Sequence, residues 1–572
     1  MHDLVIRGGR IVDGSGQPAI EGDVAIDSGR ITSVGGKAGT GRREIDAKGL
    51  LVTPGWVDIH THYDGQVTWD PYLSPSSWHG VTTIVMGNCG VGFAPVEKGK
   101  EEFLIGLMEG VEDIPGTALA EGIKWQWESF PEYLDALEKM KRVLDVGAQV
   151  PHGSVRAYVM GERGARNEEA TPDDIAKMAA IVRDSLRAGA LGFTTSRTML
   201  HRAKNHELVP GTFAGEAELL GIGRAMGEAG HGVFEMVSDM VGPDATMEWM
   251  VKFSTETGLP ITFGMAQLDQ NPQGYRQVLE RVRALNAGGA HLVPQIAGRP
   301  PGILMSWQSS LHPFITHPTY KELSHLPIDE RVARLRDPAV KARILSEVPS
   351  SNDNVANYFM TNWSKYFVLG DPPNYEPARE DSIGARAERI GKSPAELTYD
   401  MLLERNGREL VYMPFANYAE YNFDALREML LDPATALGLS DGGAHCGVIC
   451  DASMPTYMLT HWARDRRRGE RLPIEFAVKR QTSDTAKFYG LRDRGMLAPG
   501  MKADVNVIDF DNLTLHSPKM IFDLPAGGKR LVQEVEGYKY TVQTGEVTFE
   551  NSQATGAMPG RLIRGPQPAP AA

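Results

Sequence analysis

Cysteine is nearly absent from this chain. Three residues in 572, Cys89, Cys446 and Cys450, exclude a disulfide framework and point to a reducing compartment, so a cytoplasmic location is expected. No apolar run reaches about 18 residues, so no membrane-spanning helix is expected. The opening MHDLVIRGGRIVDG lacks a basic segment followed by an apolar core, and no signal peptide is expected. Positive charge is in deficit: 59 Lys and Arg against 73 Asp and Glu leave a net charge of −14, which argues against nucleic acid or an acidic membrane as partner. A small-molecule substrate is the expected partner. Apolar stretches in the long insertions leave room for a homo-oligomeric interface.

What is present is a change of rhythm along the chain. The first 50 residues alternate with a period of two, as in GDVAIDSGRITSVGG, where Val24 and Ile26 share a face before a Ser28-Gly29 turn. APGMKADVNVIDFDN and GYKYTVQTGEVTFEN repeat that habit near the other end, so the two termini are expected to meet in one small β-sandwich, residues 1–53 and 485–572. The final RGPQPAPAA, rich in proline and alanine, is expected to fray.

Between these ends, short apolar runs alternate with amphipathic helical stretches. Eight runs qualify as strands: LVTPGWVDIHTH, TTIVMGNC, GAQVPH, ALGFTTS, GVFEMVS, PITFGMAQ, HLVPQIAG and TALGLSD. Eight alternating β and α units predict an α/β fold, a (β/α)8 TIM barrel over residues 54–484, whose site lies at the C-terminal ends of its strands. Insertions at about 92–146 and 299–430 exceed ordinary loops and are expected to cover the mouth. The run ARDRRRGERLP reads as a charged helix face.

The chemistry concentrates at strand ends. His60 and His62 are two apart in a strand, so their imidazoles share a face while Thr61 points away. Cys89 ends the second strand and Asp441 the eighth. Imidazole, thiolate and carboxylate together suit zinc, and Asp441 can also serve as general base and acid toward a metal-activated water. His152 ends the third strand. Arg197, His201 and His206 lie in or beside the loop after the fourth, and these four are candidate substrate contacts. His445 reads as a residue behind the ligands or at the surface.

The strings LVIRGGRIVDGSG, GLLVTPGWVDIHTHYD, GVTTIVMGNCGVGFAP, LSDGGAH and DRGMLAPGMKADVNVID resemble the amidohydrolase superfamily and, within it, the N-acyl-D-amino-acid deacylase or D-aminoacylase-like group. The resemblance spans most of the chain. It implies a hydrolase with one or two zinc ions acting on the amide bond of N-acylated, D-configured amino acids or related compounds, with His60, His62, Cys89 and Asp441 carried over by position. The chain departs from that group in two places. Strands five and six, GVFEMVSD and PITFGMAQ, lack the histidine each supplies there, and Gln267 or its neighbour stands where a lysine grips the substrate carboxylate. Three readings follow. The metal sits with His60, His62, Cys89 and Asp441, or Glu235 replaces a histidine as ligand, or the chain is a non-catalytic subunit. A lactone or cyclic amide is the alternative substrate on the same site.

Overall fold

The computed structural model describes residues 1–239, 243–348 and 354–571. All eight predicted barrel strands are present: Trp56–Asp58, Val81–Met86, Asp145–Ala148 continued by Val150–Pro151, Gly192–Arg197, Val233–Ser238, Ile261–Gly264, Leu292–Ile296 and Ala436–Leu437. Each pairs in parallel with the next in chain order. The kink at Gln149 is bridged by Gln149 N–H donating to Met86 O at 2.9 Å and Leu191 N–H to Ala148 O at 2.8 Å. The ring closes beyond the short first and eighth strands, where His62 N–H donates to Gly442 O at 2.7 Å and Asp441 N–H to His60 O at 3.1 Å. The seam of the barrel is therefore also the place where two histidines and an aspartate are fixed against each other.

The two termini do meet. Nine strands from residues 2–54 and 505–554 form one hydrogen-bonded sheet, with Leu51–Pro54 parallel to His2–Ile11 and antiparallel to Val505–Ile508. Its alternating Val24, Ile26, Val505 and Val507 bury in one cluster, as the period of two requires.

Two expectations need correction. The C-terminal tail does not fray at its start. Ile563 packs against Val57, Val85 and Leu191, and Gly565 and Gln567 donate backbone hydrogen bonds to Gly189 O and Gly490 O. An apolar residue and two backbone donors hold what the composition alone marks as loose. The insertion after strand seven, read from sequence as longer than an ordinary loop, is a folded unit. It carries a three-stranded sheet (Gly302–Met305, Phe367–Val368, Val411–Pro414) and its own core around Trp307, Phe314, Tyr366 and Tyr399. The arginine run is not a helix face either: the helix ends at Asp465, and although Arg467, Arg468 and Arg471 are exposed, Arg466 is buried and pairs with Glu376 at 3.1 Å and Asp424 at 2.9 Å, tying that insertion to the barrel.

Asp145, at the start of strand three, joins three parts of the molecule. Its carboxylate lies 2.6 Å from Arg494 Nη1 and 3.1 Å from Lys502 Nζ, and accepts the Arg561 N–H at 2.9 Å. Burial would raise its pKa, but Lys502 and Arg494 outweigh burial and hold it below the usual carboxylate range. Removing one partner of such a buried set leaves uncompensated charge, so Asp145→Asn should lower stability by roughly 3–5 kcal/mol. The folded pKa lies below the unfolded one, so the stabilisation is full above about pH 4 and fades as pH falls further. Urea denaturation at pH 7 and pH 3 checks both, and equal midpoints for variant and wild type at pH 7 would refute the role.

Candidate metal centre

The loop after strand two explains why GNCG has that composition. Gly87 has φ +84° and a Cβ there would stand 2.4 Å from Gln149 O; Gly90 has φ +73° and would meet Ser196 N at 2.7 Å. Between them Asn88 Nδ2 donates to Thr61 O at 3.1 Å and Val85 O at 3.0 Å, while its own Oδ1 accepts from Gln149 Nε2 at 2.8 Å. Cys89 is thereby held at φ +56°, a conformation that L residues rarely keep without surrounding restraint. Asp441 and His445, at φ +48° and +49°, are held in the same region on the loop after strand eight.

The predicted ligands converge. His60, His62 and Cys89 each offer an atom within 4.8 Å of the others'. Cys89 Sγ is 3.3 Å from His60 Nε2, and Asp441 Oδ1 is 3.4 Å from His60 Nε2 and 3.6 Å from His62 Nε2. Zinc bonds of about 2.0–2.3 Å place tetrahedral corners about 3.3–3.8 Å apart, so these three separations fit one small dication. Both histidines are 1% exposed while Asp441 is 19% exposed, so the group is reached through the aspartate. Burial lowers His60 to about 4, which keeps its imidazole neutral. Burial also pushes the Cys89 thiol well up, a preference that a neighbouring dication reverses. Burial alone would raise Asp441, but the hydrogen bond from His62 and the charge of the two imidazoles hold it well below the carboxylate range.

Other groups stand behind these. His60 Nδ1 lies 3.1 Å from Gln295 Oε1; the amide oxygen accepts, which leaves Nε2 with the lone pair that faces Cys89 and Asp441. Asp58 accepts the His60 N–H at 3.2 Å and the Ser440 hydroxyl, joining the first and eighth strand ends. Glu112, from the helix Glu101–Glu112, brings Oε1 to 3.3 Å from His62 Nδ1 and Oε2 to 3.5 Å from His445 Nε2. Sequence reasoning missed it, although Leu104, Met108 and Glu112 recur every four residues on the buried face of that helix. A carboxylate on an apolar stripe was the available signal.

The structure separates the other candidates. Glu235 stands beside the ligand group rather than in it, because its Oε2 accepts the Cys89 N–H at 3.0 Å. His152 has no nitrogen left for a substrate: Nδ1 meets Thr195 Oγ1 at 2.8 Å and Nε2 meets Glu218 Oε1 at 2.9 Å, in a buried cluster with Arg156. Arg197 donates to Ala214 O, and exposed His206 is held through its own carbonyl by Arg202 at 2.9 Å. His201 is half-buried with Ser196 Oγ 3.1 Å from its Nδ1, and burial, then His445 and His62, lower it to about 3.

With this geometry in place, the chain can be compared with known proteins. Residues 43–549 match the amidohydrolase family, and the chain belongs to it. An uncharacterised protein of Mycobacterium tuberculosis is 25% identical over 539 residues, covering 89% of this chain and 84% of its own length. A D-aminoacylase of Alcaligenes xylosoxydans xylosoxydans is 32% identical over 194 residues, 34% of this chain and 37% of the enzyme. A crystal structure of N-acyl-D-glutamate deacylase from Bordetella bronchiseptica, complexed with zinc and a phosphonate inhibitor, superposes with a TM-score of 0.63 at 23% identity, over 98% of this chain and 99% of that one. The structural likeness, at 23% identity, shows a shared fold. No helix among the described residues is long and apolar enough to cross a membrane.

The structural role of His152 is testable. His152→Gln should cost about 1–3 kcal/mol of stability through its lost buried partners and leave KM for any turned-over substrate within about twofold. Thermal melts with parallel kinetics decide it. A large rise in KM at unchanged stability would return His152 to the substrate pocket.

Proposed function

We propose that this chain is a zinc-dependent hydrolase of the amide bond of N-acyl amino acids, D-configured or closely related compounds among them. His60, His62, Cys89 and Asp441 hold the ion. The observation that carries the reading is the approach of Asp441 Oδ1 to both imidazoles, beside a buried thiol, at the one partly open edge of the group. A dication bound there supplies Lewis acidity, polarising the scissile carbonyl and acidifying water. The chain's own residues supply the rest. Asp441 accepts the proton of the attacking water and returns it to the leaving nitrogen. Gln295 fixes the His60 tautomer, and Glu235 holds the Cys89 loop through the backbone N–H. The helix Glu101–Glu112 excludes water from the His62 side, where Glu112 is 1% exposed.

One observation favours a second substrate on the same residues. Gln267, at the position where the resemblance leads one to expect a carboxylate-gripping lysine, has its amide committed: Oε1 accepts from Ala419 N at 3.1 Å and Nε2 donates to Pro272 O at 3.3 Å. A lactone or cyclic amide, which needs no such grip, suits that arrangement. Assaying N-acetyl-D- and L-amino acids beside lactones and cyclic amides separates the two.

Asp441→Asn should lower kcat by about 10²–10⁴-fold, while zinc content by atomic absorption stays near that of wild type, because three other ligands remain. Turnover by this variant close to wild type would remove Asp441 as the proton carrier. Failure of zinc-loaded wild-type protein on every amide and lactone would favour the non-catalytic reading instead.

A further inference from the structure

We propose that Glu112 is a positioning residue for this centre: a carboxylate delivered by the insertion after strand two that sets the tautomer of His62 and ties His445 to it. The inference rests on the metal site described above.

The first support is a pair of unmet valences. Glu112 is 1% exposed, and neither of its carboxylate oxygens has a hydrogen-bond partner among the described residues; His62 Nδ1, 3.3 Å away, is likewise buried and unpartnered. A carboxylate can only accept. The ring nitrogen facing it therefore serves as an N–H donor, which leaves Nε2, 3.6 Å from Asp441, as the nitrogen that a metal would take. A ligating histidine whose other nitrogen donates to a carboxylate is the usual means of fixing ring orientation.

The second support is placement. Glu112 is the last residue of its helix, where the negative end of the helix dipole disfavours a carboxylate. The residue is held there regardless, by the loop after strand eight. Glu112 O accepts the His445 N–H, and Asp113, at φ +50°, accepts the Gly447 N–H at 3.1 Å. The same contact sets Glu112 Oε2 3.5 Å from His445 Nε2. One carboxylate thus faces an imidazole from each side of the barrel seam, and the helix end that carries it is pinned to the loop bearing Asp441.

The test uses full-length protein and the variants Glu112→Gln and Glu112→Ala. In zinc-loaded protein with 15N-labelled histidine, NMR should show His62 with its proton on Nδ1, hydrogen-bonded and slow to exchange in wild type, and that N–H lost or exchanging faster in Glu112→Ala. Zinc affinity should fall about 10–100-fold in Glu112→Ala, and less in Glu112→Gln, whose amide oxygen still accepts. Thermal stability of the metal-free variants reports on folding, and if Glu112→Ala does not fold, the isosteric Glu112→Gln decides through its NMR and affinity readouts. An unchanged His62 N–H and unchanged zinc affinity in a folded variant would overturn the proposal. Zinc binding and His62 N–H effects as expected, with no hydrolysis of any substrate by wild type, would sink the functional reading and leave this one standing.

Discussion

The structure is governed by an excess of buried negative charge at the top of the barrel. Asp58, Asp64, Glu112, Glu235 and Asp441 gather there with the Cys89 thiol, and Asp441 and Glu112 face histidines. Burial pushes Asp58 and Asp64 up to about 7 and Glu235 up to about 8, so these groups answer the missing counter-charge by taking up protons. Asp441, 3.4 Å from His60 and 3.6 Å from His62, stays ionised. Proteins do not gather carboxylates out of water without a cation or a hydrogen-bond network to receive them. A dication between two imidazoles, a thiolate and one carboxylate carries no net charge, since the two anionic ligands balance it. That arithmetic, beside the motif, is what supports the proposed metal site.

The scaffold keeps these charges from relaxing apart. The first and eighth strands are short, Trp56–Asp58 and Ala436–Leu437, and their ends are joined by His62 N–H to Gly442 O and Asp441 N–H to His60 O. The Ser440 hydroxyl donates to Asp58 across the same seam. Cys89, Asp441 and His445 all sit at positive φ, so each loop is strained where it presents its side chain. Strain of this kind persists only where neighbours over-determine it. Here the neighbours are the Asn88–Gln149 clamp on one loop and the helix end at Glu112 and Asp113 on the other.

The pattern of the chain made the barrel legible because each strand reports itself through a short apolar run bounded by turn residues. His60 and His62 were legible because period-two geometry alone puts them on one face. Cys89 and Asp441 were legible as strand ends. What escaped is whatever depends on a partner distant in sequence. Nothing in VPHGSVR says that His152 will be met by Glu218, 66 residues later, with both nitrogens spent. Nothing in ARDRRRGERLP says that Glu376 lies in wait for Arg466. Glu112 and Gln295 escaped for a smaller reason: each is a polar residue within an apolar pattern, and the eye follows the pattern.

The missing histidines bear on how many ions the centre holds. At strand five, Glu235 turns inward but gives its Oε2 to the Cys89 backbone. At strand six, Thr262 donates to Val293 O at 2.7 Å, and neither it nor Gly264 offers a strong ligand. The side of Cys89 away from His60 is therefore lined by groups already committed to the protein, while the His60, His62 and Asp441 side retains free donor atoms. A second ion would have to displace the Glu235–Cys89 contact that supports the first. Under the proposed function this favours one ion, with Glu235 a strut for the Cys89 loop and the insertion carboxylate Glu112, outside the ligand set, facing His62.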